Sequence, residues 1–139
     1  MTNKKTFISK SEKETQQIAI QIVNNYRTGL ICLFGQLGAG KTTFVKGLAR
    51  ALKLKDTPQS PTFVYQRIYN GKPSMHHYDF YRLNKVDLTF IEEINESFND
   101  VLVVVEWPDI FIKEMLKKRI DIYLEYVDDT TREITVEYL

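Results

Sequence analysis

An apolar run, Leu30-Ile31-Cys32-Leu33-Phe34, stops at Gly35, and a glycine-rich turn leads to Lys41-Thr42-Thr43 at the head of a segment with helical spacing. Strand, loop and helix in this order satisfy the P-loop pattern GxxxxGK[ST] in the context it requires. The residue types follow from the chemistry. Glycines at 35, 38 and 40 let successive backbone N–H groups turn inward as an anion nest. The helix N-terminus adds unpaired N–H groups and partial positive charge. Lys41 can reach the β- and γ-phosphates of a nucleotide, and the Thr42 hydroxyl can ligate Mg²⁺. The stretch implies a nucleoside triphosphate site whose phosphate-binding set is Gly35, Gln36, Leu37, Gly38, Ala39, Gly40, Lys41, Thr42 and Thr43.

At 139 residues, 43% hydrophobic and 27% charged, the chain reads as one domain, residues 1–139, with enough apolar surface for a core. Its first residues, MTNKKTFISKSEKE, hold no apolar run of signal-peptide length, and nothing later is long enough to span a bilayer. These features predict a cytoplasmic protein without a membrane role. The lone Cys32 excludes an internal disulfide and falls within an apolar strand, where a buried, inert thiol is expected. Charge is unevenly divided: residues 1–70 hold 11 Lys and Arg against 3 Asp and Glu, residues 71–139 hold 8 against 15. A basic half suits a polyphosphate or an acidic partner, and equally the two halves can neutralise each other across the fold. No long basic run or aromatic–basic repeat points to strong nucleic-acid binding by this chain alone.

In chain order, Lys5–Ile8 predicts a short strand. Ser9 with Glu12 and Ser11 with Glu14 offer two overlapping helix starts, followed by an apolar stripe of Ile18, Ala19, Ile22, Val23 and Tyr26, with Gly29 as the stop. After the loop, Phe44, Val45, Leu48, Ala49 and Leu52 form one helix face, and Gly47 is expected to permit close packing of that helix on the sheet. Val64–Tyr69 and Met75–Tyr81 read as strands joined at Asn70-Gly71, a two-residue hairpin signal, with Pro73 favouring an edge position. Alternation sets His77, Asp79 and Tyr81 on one strand face and Tyr78 and Phe80 on the other. A helix capped near Asp87 or Thr89 buries Phe90, Ile91, Ile94 and Phe98. Val101–Val105 is a central strand covered on both faces. Pro108 can open a short helix with Ile112, Met115 and Leu116 inward, while Lys113, Lys117, Lys118 and Arg119 form a solvated face. Two alternating segments, Ile120–Tyr126 and Ile134–Tyr138, predict an antiparallel hairpin at the sheet edge. The fold class is α/β: a P-loop NTPase domain with a central mixed β-sheet flanked by helices and carrying antiparallel hairpins.

A P-loop needs a carboxylate for Mg²⁺ or its waters at the end of a neighbouring strand. Glu106, closing the Val101–Val105 run, has that form, and open-sheet logic brings it near Gly35. Asp79 is the other candidate acid. A strand carrying His77 and Asp79 on one face can support a metal from behind or orient an attacking water, and can equally be a solvated sheet face. Thr62, between two elements, has the position of a threonine that closes over a γ-phosphate. Asn84-Lys85-Val86-Asp87 matches the N-K-x-D element of many GTPases, but it precedes the Glu106 strand and no D-x-x-G occurs, so it reads as a turn and helix cap.

Four segments at these separations, GQLGAGKTTF at Gly35–Phe44, SPTF at Ser60–Phe63, HYDFYRL at His77–Leu83 and VEWPD at Val105–Asp109, resemble the TsaE (YjeE) family along essentially the whole chain. That family comprises small bacterial ATPases needed to form threonylcarbamoyladenosine in tRNA. The resemblance implies ATP and Mg²⁺ as ligands and slow hydrolysis that depends on partners, a TsaD-type transferase and its TsaB-type companion; direct contact with tRNA is left open. It also implies Lys41 and Thr42 as phosphate and Mg²⁺ contacts, Thr62 as a switch residue, Asp79 and Glu106 as the acids required for hydrolysis, and Trp107 beside the nucleotide. Thr42, Glu106 and Asp79 are then the metal set. Two other functions use the same loop: a small-molecule or nucleotide kinase, whose arginine lid would fall to Arg67 and Arg82, and a binding module whose hydrolysis is incidental.

Overall fold

The computed structural model describes residues 3–36, 38–56, 58, 66–81, 88–108 and 116–139. Seven strands and three helices follow in the order β1 (Asn3–Ser9), α1 (Glu12–Asn24), β2 (Gly29–Phe34), α2 (Lys41–Ala51), β3 (Gln66–Tyr69), β4 (Met75–Asp79), α3 (Leu88–Ser97), β5 (Leu102–Glu106), β6 (Ile120–Tyr126) and β7 (Arg132–Tyr138). All strands join one sheet in the order β1-β7-β6-β2-β5-β4-β3. Its centre is parallel: β2 pairs with β5 and β6, and β5 with β4. Antiparallel pairs close both sides, β3 on β4 at one end and β7 then β1 at the other. This is the mixed α/β sheet that the sequence predicts.

The direction of these strands decides where chemistry can occur. β6, β2, β5 and β4 run parallel, and two antiparallel steps return β1 to the same direction, so five carboxyl ends share one side of the sheet. The chain reaches β2 from β1 on one flank and next enters the sheet on the other, at β3 and β4, which makes β2 the point where a crevice opens.

Alternation along the central strands sorts the core into two layers. Ile31, Leu33, Leu102 and Val104 pack with Ala19, Ile22, Phe44, Val45 and Leu48 beneath α1 and α2. Leu30, Cys32, Val103 and Val105 pack with Tyr78, Phe80, Ile91 and Ile94 beneath α3. Both faces of β2 and β5 are covered, which is why their sequences are continuous apolar runs rather than alternating ones. Tyr78, Phe80 and Phe90 form an aromatic cluster with centroids 5.6–6.0 Å apart. That cluster holds one face of β4 against α3 and leaves His77 on the α1–α2 side, above Met75.

α1 begins at the second of its two possible caps. Ser11 Oγ accepts the Glu14 N–H at 3.1 Å, and the Glu14 carboxylate accepts from the Lys10 N–H at 2.5 Å. Ser9 instead turns inward, its hydroxyl 2.7 Å from that of Thr15. The helix ends at Asn24 with Asn25 as cap, and Gly29 starts β2 rather than stopping α1.

Several expectations are corrected. The β6–β7 hairpin is not at the edge, because β1 pairs along the whole of β7 and takes that position. Asn70-Gly71 does not form a two-residue turn: Tyr69 pairs with Met75, leaving a five-residue loop that Ser74 closes by exchanging hydrogen bonds with Gly71. A type I′ turn needs positive φ at both central residues, and neither Asn70 nor Gly71 has it. Arg119 is buried rather than solvated, because its guanidinium binds both oxygens of Asp121 and the Leu116 carbonyl. Thr89 lies in the first turn of α3, near its start as expected, and Asp87 lies outside the described residues, as do Asn84–Val86 and residues 109–115.

Gly47 serves a different contact from the expected one. A Cβ there would stand 2.7 Å from the Gln16 carbonyl oxygen and 2.8 Å from the Ala19 Cβ, so the glycine permits α2 to touch α1 rather than the sheet. Ala is otherwise the better helix former by about 1 kcal/mol. The clash outweighs that gain, since overpacking a close contact costs about 1–3 kcal/mol. Gly47→Ala is expected to lower unfolding free energy by about 1 kcal/mol or more, measured by urea denaturation; an unchanged or higher midpoint would refute the contact.

Candidate functional site

The crevice at the strand ends is a cleft of about 940 Å³ lined by residues from the loop, α1, β4, β5 and the β6–β7 turn. Its floor is the P-loop. Gly40 caps α2 with φ 102° and ψ 17°, a left-handed conformation that bulkier residues resist. Turning the chain there aims the first N–H groups of α2 into the cleft, since no side chain caps this helix. Gly38, Gly40, Lys41, Thr42 and Thr43 line the space. Gln36 is exposed and Ala39 is buried in the core beneath α1 and α2, while Leu37 lies outside the described residues. Gly35 lies against the sheet, where a Cβ would come within 2.7 Å of the Leu124 carbonyl oxygen.

Lys41 is buried, and its ammonium donates to the Gly35 carbonyl at 2.7 Å while lying 3.8 Å from the Trp107 ring centroid. Burial pushes the ammonium below its ordinary range, and the charges of Glu106 and Asp79 pull it back up. Trp107 adopts φ 54°, uncommon for a non-glycine residue, and its ring meets that of Tyr81 at 4.8 Å. The tryptophan therefore roofs the lysine.

Both predicted acids reach the cleft. In the parallel β4–β5 pair Asp79 stands opposite Glu106, so the two carboxylates are neighbours on one face. Glu106 is only 4% exposed; its Oε2 lies 2.6 Å from Nε2 of His77, itself 1% exposed. His77 is thus no part of a solvated sheet face. Asp79 is less deeply placed, and its Oδ1 accepts the Tyr81 N–H at 2.9 Å. Burial raises the Asp79 carboxyl above its ordinary value, the Tyr81 N–H opposes the shift, and the Glu106 charge adds to it.

Sequence reading did not anticipate two further walls. Lys10, Ser11 and Thr15 bring the start of α1 to the cleft, and Thr130 and Arg132 bring the β6–β7 turn. Arg132 binds the Asp128 and Thr131 carbonyls at 2.6 and 3.0 Å and reaches the Gly38 carbonyl of the loop at 3.2 Å. The same residues carried local signals of a helix cap and a hairpin turn, and only strand direction brings them to the loop. Thr62 and Arg82 lie outside the described residues, and Arg67 is exposed on β3 without lining the cleft.

The donor set suits a hard cation shared with phosphates. Among the described residues no group of three or more His, Cys, Asp and Glu side chains forms a self-sufficient metal site. Mg²⁺ characteristically takes one or two carboxylates plus phosphate oxygens and waters, and Thr42, Asp79 and Glu106 line one cleft, a donor set of that kind.

The raised Asp79 carboxyl has a consequence for stability. Its value in the fold exceeds the 3.8 of an unperturbed aspartate, so the fold holds this proton more tightly than the unfolded chain. Stability is therefore lost as pH rises from 3.8 through the folded value, and ionised Asp79 weakens the nucleotide-free fold at pH 7. Asp79→Asn keeps an acceptor for the Tyr81 N–H and removes that charge. The melting temperature at pH 7 without nucleotide is expected to rise by a few degrees, with the gain shrinking as pH falls toward 3.8; a lower melting temperature at pH 7 would contradict this account.

Comparison with known proteins fits this geometry. Residues 9–134 match the family model described as "Threonylcarbamoyl adenosine biosynthesis protein TsaE". A Treponema pallidum protein named tRNA threonylcarbamoyladenosine biosynthesis protein TsaE is 33% identical, covering 93% of this chain and 97% of its own. The Aquifex aeolicus protein of the same name is 38% identical, with 95% of both chains covered. The crystal structure of Bacillus subtilis YdiB superimposes with a TM-score of 0.78 at 30% identity, covering 99% of this chain and 87% of that one. Among the described residues no helix is long and apolar enough to cross a membrane. With the P-loop, the paired strand-end acids and a family match from one flank of the sheet to the other, this chain belongs to the TsaE family.

Proposed function

We propose that this chain is a P-loop ATPase of residues 1–139 that acts in the cytoplasm to support a threonylcarbamoyl transfer complex on tRNA. Its partners in this reading are a TsaD-type transferase and a TsaB-type companion, and it does not transfer the threonylcarbamoyl group itself. The observation that carries the reading is the meeting of Lys41, Thr42, Asp79 and Glu106 in one cleft at the carboxyl ends of β2, β4 and β5. Phosphoryl transfer to water asks a protein mainly for positioning and charge, and these residues supply both.

The ATP phosphates lie over the loop N–H groups and the start of α2. Lys41 exchanges its bond to the Gly35 carbonyl for charge-assisted contacts with phosphate oxygens. Thr42, Asp79 and Glu106 would hold Mg²⁺, directly or through waters, and the ion would supply neutralisation of phosphate charge. Glu106 and Asp79 orient the attacking water, with Thr62 closing over the γ-phosphate. Trp107 stays beside the nucleotide. Partner dependence fits the exposed rim of the cleft, where Lys10, Lys13, Asp129 and Thr130 are open to another protein.

Purified protein is tested with ATP and Mg²⁺, with and without the two partners. Glu106→Gln is expected to bind ATP within about threefold of wild type while losing partner-stimulated hydrolysis by about 100-fold or more. Lys41→Ala is expected to weaken ATP binding at least about tenfold, because a charge-assisted phosphate contact disappears. Fluorescence of Trp107, the one tryptophan, reports both affinities. Full hydrolysis by Glu106→Gln, or labelled phosphate appearing on a small acceptor, would overturn the proposal.

A further inference from the structure

We infer that His77 is a positioning residue that fixes which way the Glu106 carboxylate faces, and so sets how tightly the site takes its divalent cation. The inference rests on the reading that Glu106 serves hydrolysis. His77 does not line the cleft, yet its Nε2 lies 2.6 Å from Glu106 Oε2, and both side chains are almost wholly buried. An ionised carboxylate only accepts, so Nε2 carries the shared hydrogen. Among the described residues no other side chain hydrogen-bonds Glu106.

Strand geometry makes the contact one-directional. His77 stands opposite Val104, one side-chain step behind Glu106 on the same face, so the imidazole supports the carboxylate from the side away from the cleft. The bond engages Oε2 and leaves Oε1 for the cation that the cleft would hold. The other ring nitrogen, Nδ1, is buried with no hydrogen-bond partner among the described residues. The opposite face of β4 is locked by Tyr78 against Phe80 and Phe90, which removes the freedom of the strand to roll and release the contact. Partners behind a metal-binding side chain typically change metal affinity or activity by about 10–100-fold when lost.

Two measurements test this. In the ADP-bound protein, Mg²⁺ half-saturation is read from Trp107 fluorescence, and partner-stimulated hydrolysis gives kcat and KM for ATP. His77→Asn, whose amide is too short to reach Oε2, should raise the Mg²⁺ half-saturation at least about tenfold and lower kcat similarly, with KM for ATP within about threefold. His77→Gln, whose amide extends to the Nε2 position, should recover most of both. Equal behaviour of the two variants, or wild-type Mg²⁺ half-saturation in His77→Asn, would overturn the proposal. A second measurement needs no variant. Isotope-labelled histidine ring nitrogens, followed by NMR, should shift at His77 when Mg²⁺ is added to the ADP-bound protein, while those of His76, outside the cleft, stay fixed. Unmoved His77 nitrogens would overturn it independently of folding effects. Wild-type protein that hydrolyses no ATP with its partners would instead overturn the ATPase reading and leave these binding measurements to be judged separately.

Discussion

Burial of β2 and β5 on both faces is the constraint on which the rest of the molecule depends. Side by side, these strands present Ile31, Leu33, Leu102 and Val104 to one helical layer and Leu30, Cys32, Val103 and Val105 to the other. No polar side chain can stand along such strands without losing its hydration at a cost of several kcal/mol. Charged chemistry is therefore driven to the strand ends, where the backbone turns out of the core. Because the central strands are parallel, those ends coincide, and the loop after β2 meets the acids that close β4 and β5 without any further device.

The site so formed concentrates groups that are costly to bury. Lys41 and Glu106 are nearly inaccessible, and Asp79 is forced beside a second carboxylate in register with it. Each has found a partial answer: Lys41 in the Gly35 carbonyl and the Trp107 face, Glu106 in His77, and Asp79 in the Tyr81 N–H. An exposed pair such as Lys4–Glu137 contributes at most about 1 kcal/mol, whereas leaving one partner of a buried pair uncompensated costs about 3–5 kcal/mol. The arrangement thus concentrates charges whose burial is only partly compensated within the fold.

Charge asymmetry along the chain finds an explanation at the same place. Lys10, Lys13, Lys41 and Arg132 converge on the cleft from both halves of the sequence, together with Asp79 and Glu106. Lys10, Lys13 and Lys41 come from the basic half, and Arg132 with Asp79 and Glu106 from the acidic half. Neutralisation across the fold also occurs, as Lys4 of β1 with Glu137 of β7 shows. The two readings of the asymmetry are compatible.

Much was legible in the residues themselves. The phosphate loop was, because glycines, lysine and threonine at fixed spacing are demanded locally by the backbone and by phosphate. The central strand ending in Glu106 was, because double burial writes a continuous β-branched run. Local signals failed where a long-range partner took over. Gly47 looked like a sheet contact but answers Gln16 and Ala19 of α1; the β6–β7 hairpin looked like an edge until β1 covered it; Arg119 looked solvated until Asp121 engaged it. The sequence alone determined the loop, the acids and the family resemblance, since each is encoded in short spacings. Only the tertiary structure decided that His77 answers Glu106 and that Arg132 meets the loop at Gly38, because those pairings depend on strand register and direction, which no short segment contains. The phosphate loop fixes what the site can hold; the parallel register fixes which side chains surround it.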